Sequence, residues 1–239
     1  MAIEKNKKQR KTRRFFFRLM FVKISLLYCC LLSLAAGYAQ ADESDWKAWK
    51  AAQIADAISA APPSVTHDAT LYAWQDDGKL VLLRHGSGLH VCFATGQLSL
   101  RVGLPRPPFP DPMCMDPNAW AFFSAVWAEK NPLKPEKPYP SRPGIVWMLA
   151  GMGVPDGMVQ FGADTANQFK VDSQGKKVVK LSPHIMLMPL PVNGKSSVMP
   201  SHYNVDEPQG SWVMGAGLPI EHVMIHFTDE DVASMMKER

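Results

Sequence analysis

The sequence predicts an α+β fold: a single domain on a mostly antiparallel sheet, with an N-terminal helix, one core helix and a short C-terminal helix. Three patterns lead to that expectation. Apolar residues recur at helical spacing in two capped stretches. Short apolar runs are separated by glycine-containing turns. Thr228 and Asp231, three residues apart, have the spacing of a capping box for a last helix through Met236.

The elements follow in chain order. Asp42, Glu43 and Asp45 place negative charge where a helix start favours it, with Ser44 as a candidate cap. Trp46, Trp49, Ile54, Ala57 and Ile58 then share one face, and Ala61-Pro62-Pro63 stops the helix. Thr70–Trp74, Lys79–Arg84 and Leu89–Ala94 read as a β-meander, joined by Asp77-Gly78 and by Gly86-Ser87-Gly88. Asp116-Pro117 caps and starts the core helix. Its rows Trp120/Phe123/Trp127 and Ala119/Phe122/Val126 make a face wide enough to bury, and it ends at Asn131-Pro132. Five prolines between Pro132 and Pro143 favour an extended crossover loop, with partner docking as the sharper alternative. Further strands are expected at Ile145–Ala150, Val178–Pro189, Trp212–Met214 and His222–Phe227.

Ahead of this domain, residues 1–41 have the order of a secretory signal peptide. A basic stretch reaches Lys23, an apolar run of 13 residues spans Ile24–Ala36, and Ala39-Gln40-Ala41 offers small residues for cleavage after Ala41. That run is short of the roughly 20 residues needed to cross a bilayer, so no stable membrane insertion is expected after cleavage. Thr12-Arg13-Arg14-Phe15-Phe16-Phe17-Arg18 resembles the twin-arginine signal of folded export, with Phe17 and Arg18 departing from its pattern. An ordinary secretory signal fits the same segment. Either route implies the periplasm or the outside of a Gram-negative bacterium, and a partner in the export machinery.

Removing 41 of 239 residues leaves 198, enough for one sizeable core. The leader carries nine Lys/Arg and one Glu, a balance of +8. Against +4 for the whole chain, the remainder is therefore −4, which argues against nucleic-acid binding. Cys29 and Cys30 leave with the leader. Cys92 and Cys114 remain, an even pair in an oxidising compartment, so a disulfide is expected, tying a strand to the start of the core helix. A thiolate metal site is the alternative, unsupported by any Cys-x-x-Cys spacing.

Familiar catalytic and nucleotide signatures are absent from the sequence. Gly194-Lys195-Ser196 lacks the first glycine of a phosphate loop, where Pro189 stands, and Gly151-Met152-Gly153 lacks the third glycine of a dinucleotide site. Ser87 is not flanked as a nucleophile elbow requires. No cysteine lies near the C-terminal histidines, which excludes a blue-copper set.

One constellation bears chemistry. Pro183-His184-Ile185-Met186-Leu187-Met188 and Glu221-His222-Val223-Met224-Ile225-His226 each carry His and Met at alternate positions. On a strand those residues share a face. If the two strands pair, His184, Met186, His222, Met224 and His226 gather into a set suited to copper, thioethers favouring Cu(I). Twelve methionines in 198 residues make the idea admissible. The same pattern also fits a plain core, since methionine is an adaptable filler. His184 or His222 could instead be the general base of a small secreted hydrolase, although no nucleophile or triad accompanies them.

Cys92, Pro112-Met113-Cys114-x-Asp116, Pro183-His184-x-Met186 and His222-x-Met224 together resemble motifs in a group of exported bacterial proteins, from about Ala61 to Ile225. That group has no established activity; the resemblance implies the disulfide and a single domain. The functional expectation is thus an exported binding or accessory protein with a possible copper site. Whether it is an enzyme stays open, as does its partner.

Overall fold

The computed structural model describes residues 43–155, 159–160, 169–171, 174–190, 199–204 and 206–237. The expected leader, 1–41, lies outside the described residues. Two compact units divide the chain, Met1–Lys50 and Ala51–Arg239. In the first, residues 43–50 are helical, with the Trp46 and Trp49 rings stacked 5.0 Å apart.

The second unit opens with helical residues 51–58 (α1) and the single turn Pro63–Thr66 (α2). Thr70–Trp74 (β1) and Leu80–Arg84 (β2) form the hairpin expected from Asp77-Gly78, with Gly78 at φ 80°. Val91–Phe93 (β3) departs from the expected meander. It pairs in parallel with β1, on the side away from β2. The cause is the connection. Gly86 and Gly88 do not turn the chain back. They let it cross hard against the start of β1, where Gly86 N–H donates to Thr70 Oγ1 and Gly88 N–H to the Asp68 carbonyl. A Cβ on Gly86 would overlap the backbone of Asp68, Ala69 and Thr70.

After the 3-10 turn Leu100–Val102 (η1) come Met113–Met115 (β4) and the core helix Pro117–Ala128 (α3). Asp116 caps α3 as expected, accepting from Ala119 N–H at 2.8 Å. Its second oxygen accepts from Ile145 N–H, so one carboxylate fastens the helix to Gly144–Met148 (β5). Gly144 permits this approach, because a Cβ there would overlap Ala119 N and Asp116 Oδ1.

Next are Met152–Pro155 (β6), Val159–Gln160 (β7), Phe169–Val171 (β8), Lys177–Leu181 (β9) and His184–Met188 (β10). The single strand expected over Val178–Pro189 is therefore two, in different sheets. The break falls at Ser182-Pro183, where proline has no N–H for a ladder. Tyr203–Asn204 (β11), Trp212–Met214 (β12), His222–His226 (β13) and Asp229–Met235 (α4) complete the order. Thr228 and Asp231 close the expected capping box on α4.

The fold is α+β. Its main sheet has eight strands in the order β12-β13-β10-β5-β4-β3-β1-β2, antiparallel throughout except for β1/β3. Smaller sheets β6-β9-β8 and β11-β7 accompany it. The Cys92–Cys114 disulfide is present, and it joins directly opposed residues of β3 and β4, not a strand to a helix start. Among the described residues no helix is long and apolar enough to cross a membrane. One face of the main sheet carries the core: Met115, Val146, Met186, Met224 and Trp212 form a row across five strands, packed with Ala119, Phe122 and Phe123 of α3.

Candidate functional site

The two histidine strands pair. β10 and β13 run antiparallel with His184 opposite His226, Ile185 opposite Ile225, Met186 opposite Met224 and Leu187 opposite Val223. Alternation then puts His184, Met186 and Met188 on the same buried face as His222, Met224 and His226.

Hydrogen bonding gives the three histidines different chemistry. His226 Nε2 accepts from Trp212 Nε1–H at 2.9 Å. Since indole only donates, the proton of neutral His226 sits on Nδ1 and is given to Ser182 Oγ at 2.7 Å. Ser182 Oγ–H in turn donates a hydrogen bond to the Pro208 carbonyl. Both His226 nitrogens are engaged, and a metal there would have to break a bond already made. Burial lowers its pKa to about 4, so it stays neutral.

His184 and His222 follow another pattern. Each donates Nδ1–H to the backbone carbonyl two residues earlier, His184 to Ser182 at 2.8 Å and His222 to Ile220 at 2.7 Å. Each Nε2 is therefore a lone pair, and each is buried with no partner among the described residues. Their relative exposures are 0% and 6%. Burial, with the neighbouring His226, lowers the His184 pKa to about 3; burial also lowers that of His222, against the Ile220 hydrogen bond and the Glu221 charge. Fixing Nδ1–H on a carbonyl while Nε2 stays bare is the usual outer arrangement of a metal-binding imidazole. A catalytic dyad would have a carboxylate where these carbonyls sit.

His222 and His226 are four positions apart on β13, about 13 Å of strand at roughly 3.3 Å per residue. Each imidazole also leans toward its own preceding carbonyl, and on antiparallel strands those directions are opposite. The five residues grouped from the sequence share one buried face, and of them Met186 and His222 line a common cavity.

What surrounds each nitrogen separates them further. His222 lines a cavity of about 190 Å³ whose wall includes Met113, Met148, Met152, Met186, Met188 and Met214. The topology explains the gathering. Met214 is opposite His222 across β12/β13, and continuing the β10/β13 ladder by one step brings Met188 to its other side. Phe122, Phe123 and Trp127 of α3 close the wall, and Arg101 of η1 lines it too. Among the described residues His184, Met224 and His226 are not part of that wall.

Met113, Met148, Met152, Met188 and Met214 were not singled out as ligands from the sequence. Met113-x-Met115 and Trp212-x-Met214 carry the same alternation in short form, but only pairing across strands brings them to His222. Among the described residues no group of three or more His, Cys, Asp or Glu side chains could hold a metal ion. One imidazole among neutral thioethers is a soft donor set, unsuited to hard cations. A larger concavity of about 480 Å³ lies along Pro135–Pro140, Pro189, Leu218, Pro219 and Glu221. None of its polar side-chain atoms is both buried and unpartnered among the described residues.

Compared with protein-family models, curated proteins and solved structures, the chain matches none.

Proposed function

We propose that this is an exported binding protein whose ligand is Cu(I), held by His222 Nε2 with thioethers of Met188, Met214 and Met186. One observation carries the reading: a buried imidazole lone pair without a partner, fixed in tautomer by Ile220, in a cavity walled by methionines. A buried acceptor left unpaired costs about 1–3 kcal/mol. A bound soft cation removes that cost and makes use of thioethers that would otherwise only fill space.

The setting supports the reading. A signal-like leader and a disulfide support a periplasmic or extracellular setting for this reading, outside the cytoplasm's thiol pool. The test is an anaerobic titration of the purified protein with Cu(I) against a chromogenic Cu(I) chelator. One equivalent bound, with His222→Gln weakened on the order of a hundredfold, is expected. Less than about 0.1 equivalent in the wild type, far below one ion per site, would end the proposal.

A further inference from the structure

Arg101 brings a half-buried cation to the wall of the same cavity. It lines the wall from η1, with its guanidinium 5.2 Å from the centre of the Trp127 ring. Its Nε is buried and has no hydrogen-bond partner among the described residues. Burial lowers its pKa, yet a guanidinium keeps its charge at neutral pH. The other groups facing the space, His222 and the thioethers, are neutral donors. The nearest carboxylate in sequence, Glu221, lines the neighbouring concavity and accepts the Gly217 N–H. Arg101 is half-buried, so water screens part of its charge, but a Cu(I) ion entering alone would still add positive charge beside a buried Nε–H that has no acceptor among the described residues.

One small anion resolves both defects. It would complete the copper coordination and accept the Arg101 Nε–H. The cavity has room for it, since a water in the liquid occupies about 30 Å³. Resting on the proposed copper site, we infer that the cavity binds Cu(I) paired with one soft monovalent anion of the halide type, which bridges the metal and Arg101 Nε. Arg101 is then a specificity residue. It selects a neutral copper–anion pair over a bare or divalent ion.

The test repeats the chelator competition in sodium chloride and in sodium nitrate at equal ionic strength, for the wild type and Arg101→Gln. Comparing the proteins within one salt cancels chloride complexation of free copper. In chloride the wild type is expected to bind at least about tenfold more tightly than the variant, and in nitrate equally or more weakly. X-ray absorption at the copper edge on the wild type in bromide is expected to reveal one bromine neighbour. If the variant does not fold, that spectrum decides alone. Copper bound with no bromine neighbour, or with the same wild-type-to-variant ratio in both salts, overturns this inference and leaves the copper site standing. No copper bound in either salt overturns both.

Discussion

Met214 and His222 stand directly opposite each other on β12 and β13, the thioether of one beside the bare-nitrogen imidazole of the other. This pair separates a ligand site from an ordinary apolar core, because leucine fills methionine's space without its sulfur.

Met214→Leu and Met188→Leu are each expected to weaken Cu(I) about tenfold or more while costing under about 1.5 kcal/mol of stability. Met224→Leu, on the same face but outside the cavity wall, is expected to leave affinity unchanged. Chelator competition and urea unfolding measure the two quantities. Equal affinity for all three variants would reduce the methionines to filler.

Acid should destabilise the metal-free protein in a defined window. His184 and His226 have folded pKa values near 3 and 4, below the ordinary 6.5, so the unfolded chain binds protons first. Their contribution is intact above pH 6.5 and is lost as pH falls toward 4. Asp111 acts in the opposite sense: burial raises its carboxyl to about 6, so its protonation below that pH favours the folded state. The urea midpoint is therefore expected to hold between pH 8 and pH 7 and to decline below about 6.5, more steeply in Asp111→Asn. A midpoint that rises on acidification to pH 5 would contradict the neutral buried histidines.

The disulfide closes a separation of 22 residues. Cys92→Ala with Cys114→Ala is expected to lose about 3 kcal/mol in the chain-entropy account. Calorimetry on the double variant checks it; an unchanged melting temperature would mean that the β3/β4 pairing needs no staple.

Gly144→Ala tests the joint between α3 and β5. The added methyl meets Ala119 N and Asp116 Oδ1, so the cap bond must open. A loss of at least about 1–2 kcal/mol, the worth of a cap, is expected in denaturant unfolding.

Local signals were legible in the sequence and long-range ones were not. Asp116-Pro117 and Thr228/Asp231 announced two helices because a cap is a contact between residues three apart. The alternation of His and Met was readable for the same reason. What escaped depends on chain crossings. Gly86 and Gly88 have the composition of a hairpin turn, but their lack of a Cβ serves a close crossing that moves β3 to the far side of β1. That His222 and not His184 lines the cavity was hidden too, because the wall is assembled across strands. The cavity draws methionines from β4, β5, β6, β10 and β12, and no window of sequence contains them together.

The Trp212–His226–Ser182 chain has a further consequence. β10 is apolar on both faces, with Ile185 and Leu187 behind Met186, so hydrophobicity alone hardly resists a one-residue slip of the strand against β13. Such a slip would carry Ser182 away from His226 and abandon its buried imidazole proton. The histidine that is closed to metal thereby acts as a locating pin, and it holds the alignment that puts Met188 beside His222.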